Sequence, residues 1–193
     1  MAARLAVIAL VSLFAGCASH PSRTLYVLSS ASDPVKSDAG GATAPVLQLE
    51  RVLVPDYLDT SEILLRVDQH EMRESHTGRW GERLSAGITN ALRADLADRL
   101  PKDTVLLGRS ANRSARQLRV TVDAFDVWAD SHCVLKASWS LEAENRGVVK
   151  NAHGTFTAPV AGGATGSDAA VVASMANAVS QLADRIASAV REP

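Results

Sequence analysis

The residues whose types could do chemistry are few, and their spacing works against them. His132 and Cys133 are adjacent, a pairing suited in principle to a zinc site or to an activated thiolate. Consecutive residues of a strand point to opposite faces, so the two do not share a metal without a bulge. Cys133 falls in an apolar register, which predicts a buried, inert thiol with His132 at the surface. Asp123, Asp126 and Asp130 bracket Phe125 and Trp128. Carboxylates act as an acid–base pair only where their environments drive the two pKa values apart, and nothing here does so. Solvation at a strand end and turn is the expectation. Gly162, Gly163 and Gly166 precede a helical pattern whose N-terminus could hold an anion. No lysine completes a phosphate loop, so a plain connector is expected. There is no GxSxG, Walker loop, HExxH or paired CxxC. The residues therefore predict no catalytic centre, no metal and no cofactor.

The elements that would position any site must come from a chain of 193 residues, enough for one domain with its own core. Its 47% apolar content excludes disorder, and a formal net charge of -1 argues against a nucleic-acid partner. Met1 to Gly16 stands apart. Arg4 precedes an apolar run, Leu5 to Phe14, followed by the small residues Ala15 and Gly16, the layout of an export signal. The run is about ten residues long, and a membrane-spanning helix needs roughly 20.

Phe14-Ala15-Gly16-Cys17 resembles the lipobox of bacterial lipoproteins, with Phe14 where leucine is usual. The resemblance implies cleavage before Cys17 and acylation of its thiol. Ala18 and Ser19 after it resemble the pattern sorted to the outer membrane. Several tens of acyl methylenes, at about 0.8 kcal/mol each, would make the anchor firm. On this reading residues 1–16 are the signal peptide, 17–23 a lipidated tether and 24–193 a periplasmic domain. Cys133 is then left without a partner, so the domain depends on packing rather than a disulfide.

Along that domain, Thr24 to Leu28 reads as a first strand and residues 29–45 as a long exposed loop rich in Ser, Ala, Gly, Asp and Pro. Val46 to Val54 is β-like until Pro55, Ile63 to Val67 is a further strand, and His70 to Thr77 predicts a polar edge strand. From Trp80 to Leu100 the period changes. Leu84, Ile88, Leu92, Leu96 and Leu100 recur every four residues, an amphipathic helix stopped by Pro101. Leu118 to Val122 alternates, as does Cys133 to Ala143, and Asn145-Arg146-Gly147 turns the latter into a return strand from Val148 to Ala158. Ser167 or Asp168 caps a final helix, Ala169 to Arg191, whose predicted stripe is Val172, Met175, Val179, Leu182, Ile186 and Ala189. The order predicts a single α+β domain, a mainly antiparallel sheet with two amphipathic helices on one face.

Val52 to Arg66 carries the remaining signal. Pro55 stops a strand, Tyr57 and Leu58 place bulk beyond it, and Asp59 to Glu62 lead into the next strand. Tyr57 and Leu58 either plug the edge of the core or form a knob that docks a partner, since tyrosine is favoured at interfaces. Trp80 admits the same two readings.

The lipobox at Cys17, Tyr26-Val27-Leu28, Val54-Pro55-Asp56-Tyr57-Leu58-Asp59 running to Ile63 and Arg66, Trp80 with Leu84 and the Ile88/Leu92/Leu96 helix, and Met175-Ala176-x-Ala178 with Leu182-Ala183 together resemble the PqiC/YmbA family. These are the auxiliary lipoproteins of ABC-type and MCE-type transport systems. Gly81-Glu82-Arg83 stands where the family usually has an acidic residue and proline. The resemblance implies a non-catalytic lipoprotein on the inner leaflet of the outer membrane. Its implied partners are an MCE-domain periplasmic protein and the inner-membrane permease of that system. It implies transfer of phospholipids or other hydrophobic compounds between membranes, in support of envelope integrity, and it is compatible with a homo-oligomeric collar. Two other classes remain: a lipoprotein bracing or assembling another envelope complex, and a lipid-anchored hydrolase acting through Cys133 or Asp123.

Overall fold

A computed structural model describes residues 23–29, 44–108, 115–128, 131–143, 149–162 and 167–191. The export segment, Cys17, most of the 29–45 loop, Asp130, the Asn145–Gly147 turn, Gly163 and Gly166 lie outside these residues.

Hydrophobic alternation and its change of period translate into eight strands and two helices among the described residues. They are β1 (Thr24–Tyr26), β2 (Val46–Leu49), β3 (Glu62–Arg66), β4 (Met72–Trp80), α1 (Leu84–Arg99), β5 (Thr104–Leu107), β6 (Arg116–Val127), β7 (His132–Ala143), β8 (Val149–Pro159) and α2 (Asp168–Arg191). The α+β class expected from the sequence is the one observed. The strands divide between two mixed sheets, of order β1-β4-β3 and β5-β2-β6-β7-β8. The long pairings are antiparallel, β6 with β7 and β7 with β8, whereas β2 runs parallel to both its neighbours.

Strand β7 shows the alternation most fully. Cys133, Leu135, Ala137, Trp139 and Leu141 are buried, and Lys136 between them is exposed. A bulge at Asp123 interrupts the register between β6 and β7 and shifts which side chains face in, so that Phe125 and Val127 continue the buried row after Val122. In α1 the four-residue repeat is realised in full: Leu84, Ile88, Leu92 and Leu96 are all buried.

The structure corrects several expectations. The strand expected over His70–Thr77 is β4, which starts at Met72 and runs on to Trp80; β4 is the central strand of its sheet through Gly78–Trp80, which pair with β1, beyond the expected segment. Within the expected segment the pairing is with β3 alone, at Met72, Arg73 and Glu74, and Arg73, Glu74, His76 and Thr77 are exposed. The first helix starts at Leu84, because Trp80 is the last residue of β4 and pairs with Tyr26. The stripe of α2 is broader than expected. Val171, Ala178, Ala183, Ala187 and Val190 are buried with Met175, Val179, Leu182 and Ile186, whereas Val172 and Ala189 are half-buried. The helix contacts β7, β8, α1 and β4 at once, which requires a wider apolar face than one seam. Strand β5 was not anticipated at all. None of the helices among the described residues is long and apolar enough to cross a membrane.

Candidate docking site

The segment after β2 is held in place before it reaches Tyr57. Leu53 forms a parallel bridge with Thr121 of β6, its amide donating to the Val120 carbonyl at 3.1 Å and its carbonyl accepting from the Val122 amide at 2.8 Å. The Val52 amide donates to Thr89 Oγ1 of α1 at 3.0 Å. Pro55 then begins a tight turn in which the Leu58 amide donates to the Pro55 carbonyl at 2.9 Å.

Consecutive residues of this turn go to different places. Leu58 is 3% exposed and belongs to the main core. The Asp59 carboxylate accepts the Ser85 amide at 3.0 Å. It thereby caps α1, whose own N-terminal residue Arg83 supplies no side-chain cap. Burial alone would raise the Asp59 carboxyl, but the Ser85 amide and hydroxyl, with Arg83 and Arg51 nearby, hold it below the ordinary carboxylate value. Tyr57 faces out, 46% exposed, with Asp56 exposed beside it.

Tyr57 stands beside an ion pair that joins the two sheets. Arg66 of β3 donates through Nη2 to Asp126 Oδ1 of β6 at 2.7 Å, and through Nη1 to the carbonyls of Asp68 and Gln69. Partial burial pushes the Tyr57 phenol above its usual range, the negative Asp126 adds to this, and the Arg66 guanidinium opposes it. An aromatic side chain on a turn fixed by β6, α1 and the core suits recognition, because little side-chain entropy remains to be lost on contact.

Of the three residues with two readings, Tyr57 is the exposed one. Leu58 and Trp80, 3% and 4% exposed, pack inside the domain, where tertiary burial has already used their apolar surface. The Trp80 amide also donates to the Ser61 carbonyl at 2.8 Å, tying the end of β4 to this same turn.

The groups that suggested chemistry are not assembled for it. Cys133 is fully buried, and desolvation pushes its thiol up to about 12, a hydrogen bond with Ser174 offsetting this only in part. His132 lies on the opposite side of β7. It is half-buried rather than free in solvent, stacked on Trp128 at 6.4 Å between ring centroids. Asp123 is exposed at the bulge and Asp126 is engaged by Arg66. Among the described residues there is no group of three or more His, Cys, Asp or Glu able to hold a metal. At the start of α2 the chain supplies its own anion, Asp168, whose carboxylate is buried there. A shallow cavity of about 450 Å³ on the outer face of the larger sheet has a mixed lining, Arg119, Ser138, Asn151 and His153 with Trp139 and Ala152 among others.

Sequence reasoning missed Asp59 as a cap, the Arg66–Asp126 pair and the hydroxyls that meet Asp168. The partners are separated by 26, 60 and about 90 residues, beyond the reach of any local pattern.

Fold and site together define a single α+β domain with a rigid, outward-facing tyrosine turn. The family model for the ABC-type transport auxiliary lipoprotein component matches residues 26–187, and the chain belongs to that family. It is thus an auxiliary lipoprotein component of ABC-type transport, a cell-envelope lipoprotein family. No curated protein matches the sequence. Among solved structures, an uncharacterised protein superposes with a TM-score of 0.73 at 20% identity, covering 88% of this chain and 99% of its own. A DUF330 protein from Xanthomonas campestris gives 0.65 at 17% identity, covering 84% and 92%. At these identities the likeness establishes the fold.

Proposed function

We propose that the protein is acylated at Cys17, held on the periplasmic face of the outer membrane, and acts without catalysis as the docking subunit of an MCE-type ABC transport system. In this role it moves phospholipids or other hydrophobic compounds between membranes in support of envelope integrity. The partner is the periplasmic MCE-domain protein, with the inner-membrane permease behind it. The observation that carries this reading is the family match over residues 26–187. The rigid turn that exposes Tyr57 supports it, and so does a lipobox-like Cys17 within a few residues of β1.

The test is affinity capture of the full chain from crosslinked envelopes, with co-purifying proteins identified by mass spectrometry. An MCE-domain protein and its permease are expected. Reproducible capture of a different envelope assembly in their place would favour a bracing role instead. Cys17→Ser is expected to abolish labelling by fatty acid and recovery with the outer membrane, and labelled fatty acid retained on the variant would overturn the anchor.

A further inference from the structure

Strand β1 is an edge of the smaller sheet, and the face it shares with Arg79 carries two exposed aliphatic side chains, where an edge in water is usually polar or charged. Leu25 is 59% and Val27 58% exposed. They stand together above Gly81, whose Cβ, if it had one, would lie 3.4 Å from Val27 Cγ1 and 4.0 Å from Leu25 Cβ. Tyr26 between them turns to the other side, half-buried against the core.

Two cations frame this pair. Arg23 precedes Leu25 by two residues and shares its parity, and Arg79 of β4 is the register partner of Leu25. Both are exposed, and among the described residues neither enters an ion pair. Glu62 lies on the far side of Arg79, its carboxylate accepting the Ser61 hydroxyl at 2.9 Å.

The position of this face in the chain says what meets it. Seven residue steps separate Cys17 from Thr24, a reach of at most about 25 Å at roughly 3.3–3.6 Å per residue. With Cys17 acylated, β1 cannot leave the neighbourhood of the bilayer. A tether of this length also holds the patch at an effective concentration of order millimolar, so contacts too weak to bind alone become occupied. Exposed aliphatic side chains flanked by unpaired arginines match the boundary between acyl chains and anionic headgroups.

We infer that the Arg23/Leu25/Val27 face of β1, with Arg79 beside it, is a membrane-contact surface. Leu25 and Val27 enter the headgroup–acyl boundary of the bilayer that carries the anchor, and the two arginines pair with anionic phospholipid headgroups. The inference rests on acylation of Cys17 as proposed above. Strand β3, whose Arg66 adjoins Tyr57, is the opposite edge of the same sheet, so contact at β1 does not occupy the docking turn.

The experiment uses the full acylated protein carrying Val27→Cys. Cys17 is blocked by its lipid and Cys133 is buried, so an environment-sensitive fluorophore attaches at position 27 alone. In vesicles of phosphatidylethanolamine and phosphatidylglycerol, the label is expected to shift to the blue and to be quenched by spin-labelled acyl chains. The same label at exposed Thr155 of β8 is expected to show neither effect. Adding Leu25→Glu and Arg79→Glu should return position 27 to the behaviour of the Thr155 control while the protein still floats with the vesicles. Flotation with an unquenched label at position 27 would overturn the inference and leave the anchor intact. Shielding that appears only when a partner protein is added would assign the face to that partner and also overturn it. Protein that does not float at all would overturn the anchor, and the inference with it.

Discussion

Asp168 and Ser75 are 93 residues apart in sequence and joined by a hydrogen bond of 2.6 Å from Ser75 Oγ to the Asp168 carboxylate. Thr77 Oγ1 donates to the other carboxylate oxygen at 2.5 Å. The first residue of α2 is thereby fastened to the central strand of the smaller sheet, while the rest of the helix lies on the larger one. The space around this contact is tight: a Cβ at Gly78 would come within 2.7 Å of both the Asp168 carboxylate and the Tyr26 ring. A side chain at position 78 would displace one of them, which accounts for the glycine there.

Asp168→Ala removes the acceptor of two hydroxyl donors, one of them buried. Thermal unfolding of the purified domain should show a loss of about 1–3 kcal/mol. Ser75→Ala should cost less, because Thr77 still donates to the carboxylate. An unchanged melting temperature for Asp168→Ala would contradict the fastening role.

Asp59 caps α1 from a distant turn, so Asp59→Ala should cost about 0.5–2 kcal/mol, and Asp59→Asn less. The folded carboxyl is held below its ordinary value of 3.8. Its contribution is therefore complete above that pH and lost as pH falls through the lower folded value. Wild type and Asp59→Ala should converge in stability under acid, as followed by denaturant melts across pH.

Cys133 gives the opposite sign. Its ordinary value is 9.0 and its folded value about 12, so the native state favours the neutral thiol. The contribution is complete below pH 9 and lost between there and about 12, at a limiting slope of about 1.4 kcal/mol per pH unit. The stability difference between wild type and Cys133→Ala should change along that slope in alkali. In the Cys17→Ser background, where Cys133 is the only thiol left, a thiol reagent at pH 8 should react on unfolding and not before.

Tyr57 and Leu58 are neighbours with different roles, and substitution should separate them. Leu58→Ala opens a cavity in the core and should cost about 2–5 kcal/mol. Tyr57→Ala should change the melting temperature little while weakening capture of the transport partner. Equal capture by Tyr57→Ala and wild type would remove the turn from the interface.

The Tyr57 phenol titrates above 10.0, by burial first and the charge of Asp126 second. Asp126→Asn removes that charge and should lower the titration point. Ultraviolet difference titration reads it, with Tyr26→Phe isolating the signal because the chain has two tyrosines.

How much of this was legible in advance depended on how far apart the partners lie. The alternation of β7 and the four-residue repeat of α1 are local, and each appears in the structure as the sequence implied. Strand β5 has only 4 residues, and its apolar run, Val105–Leu107 between Pro101 and Gly108, is a weak local signal. The central place of β4 was hidden because β1 meets only its last three residues, Gly78–Trp80, beyond the polar stretch, and edge or centre depends on which strands arrive beside it. Leu58 and Trp80 admitted two readings from sequence, core plug or partner knob, because a large apolar side chain reads alike whether it meets a partner or its own core.

What the sequence by itself determined is the α+β class, the positions of the main strands and both helices, the burial of Cys133 and the family resemblance. These follow from periodicities and motifs carried by neighbouring residues. Tertiary structure alone decided the division into two sheets, the capping of α1 by Asp59, the engagement of Asp126 by Arg66 and the outward turn of Tyr57. Each of those depends on two groups brought together by packing, and no local pattern records which distant residue a side chain will meet.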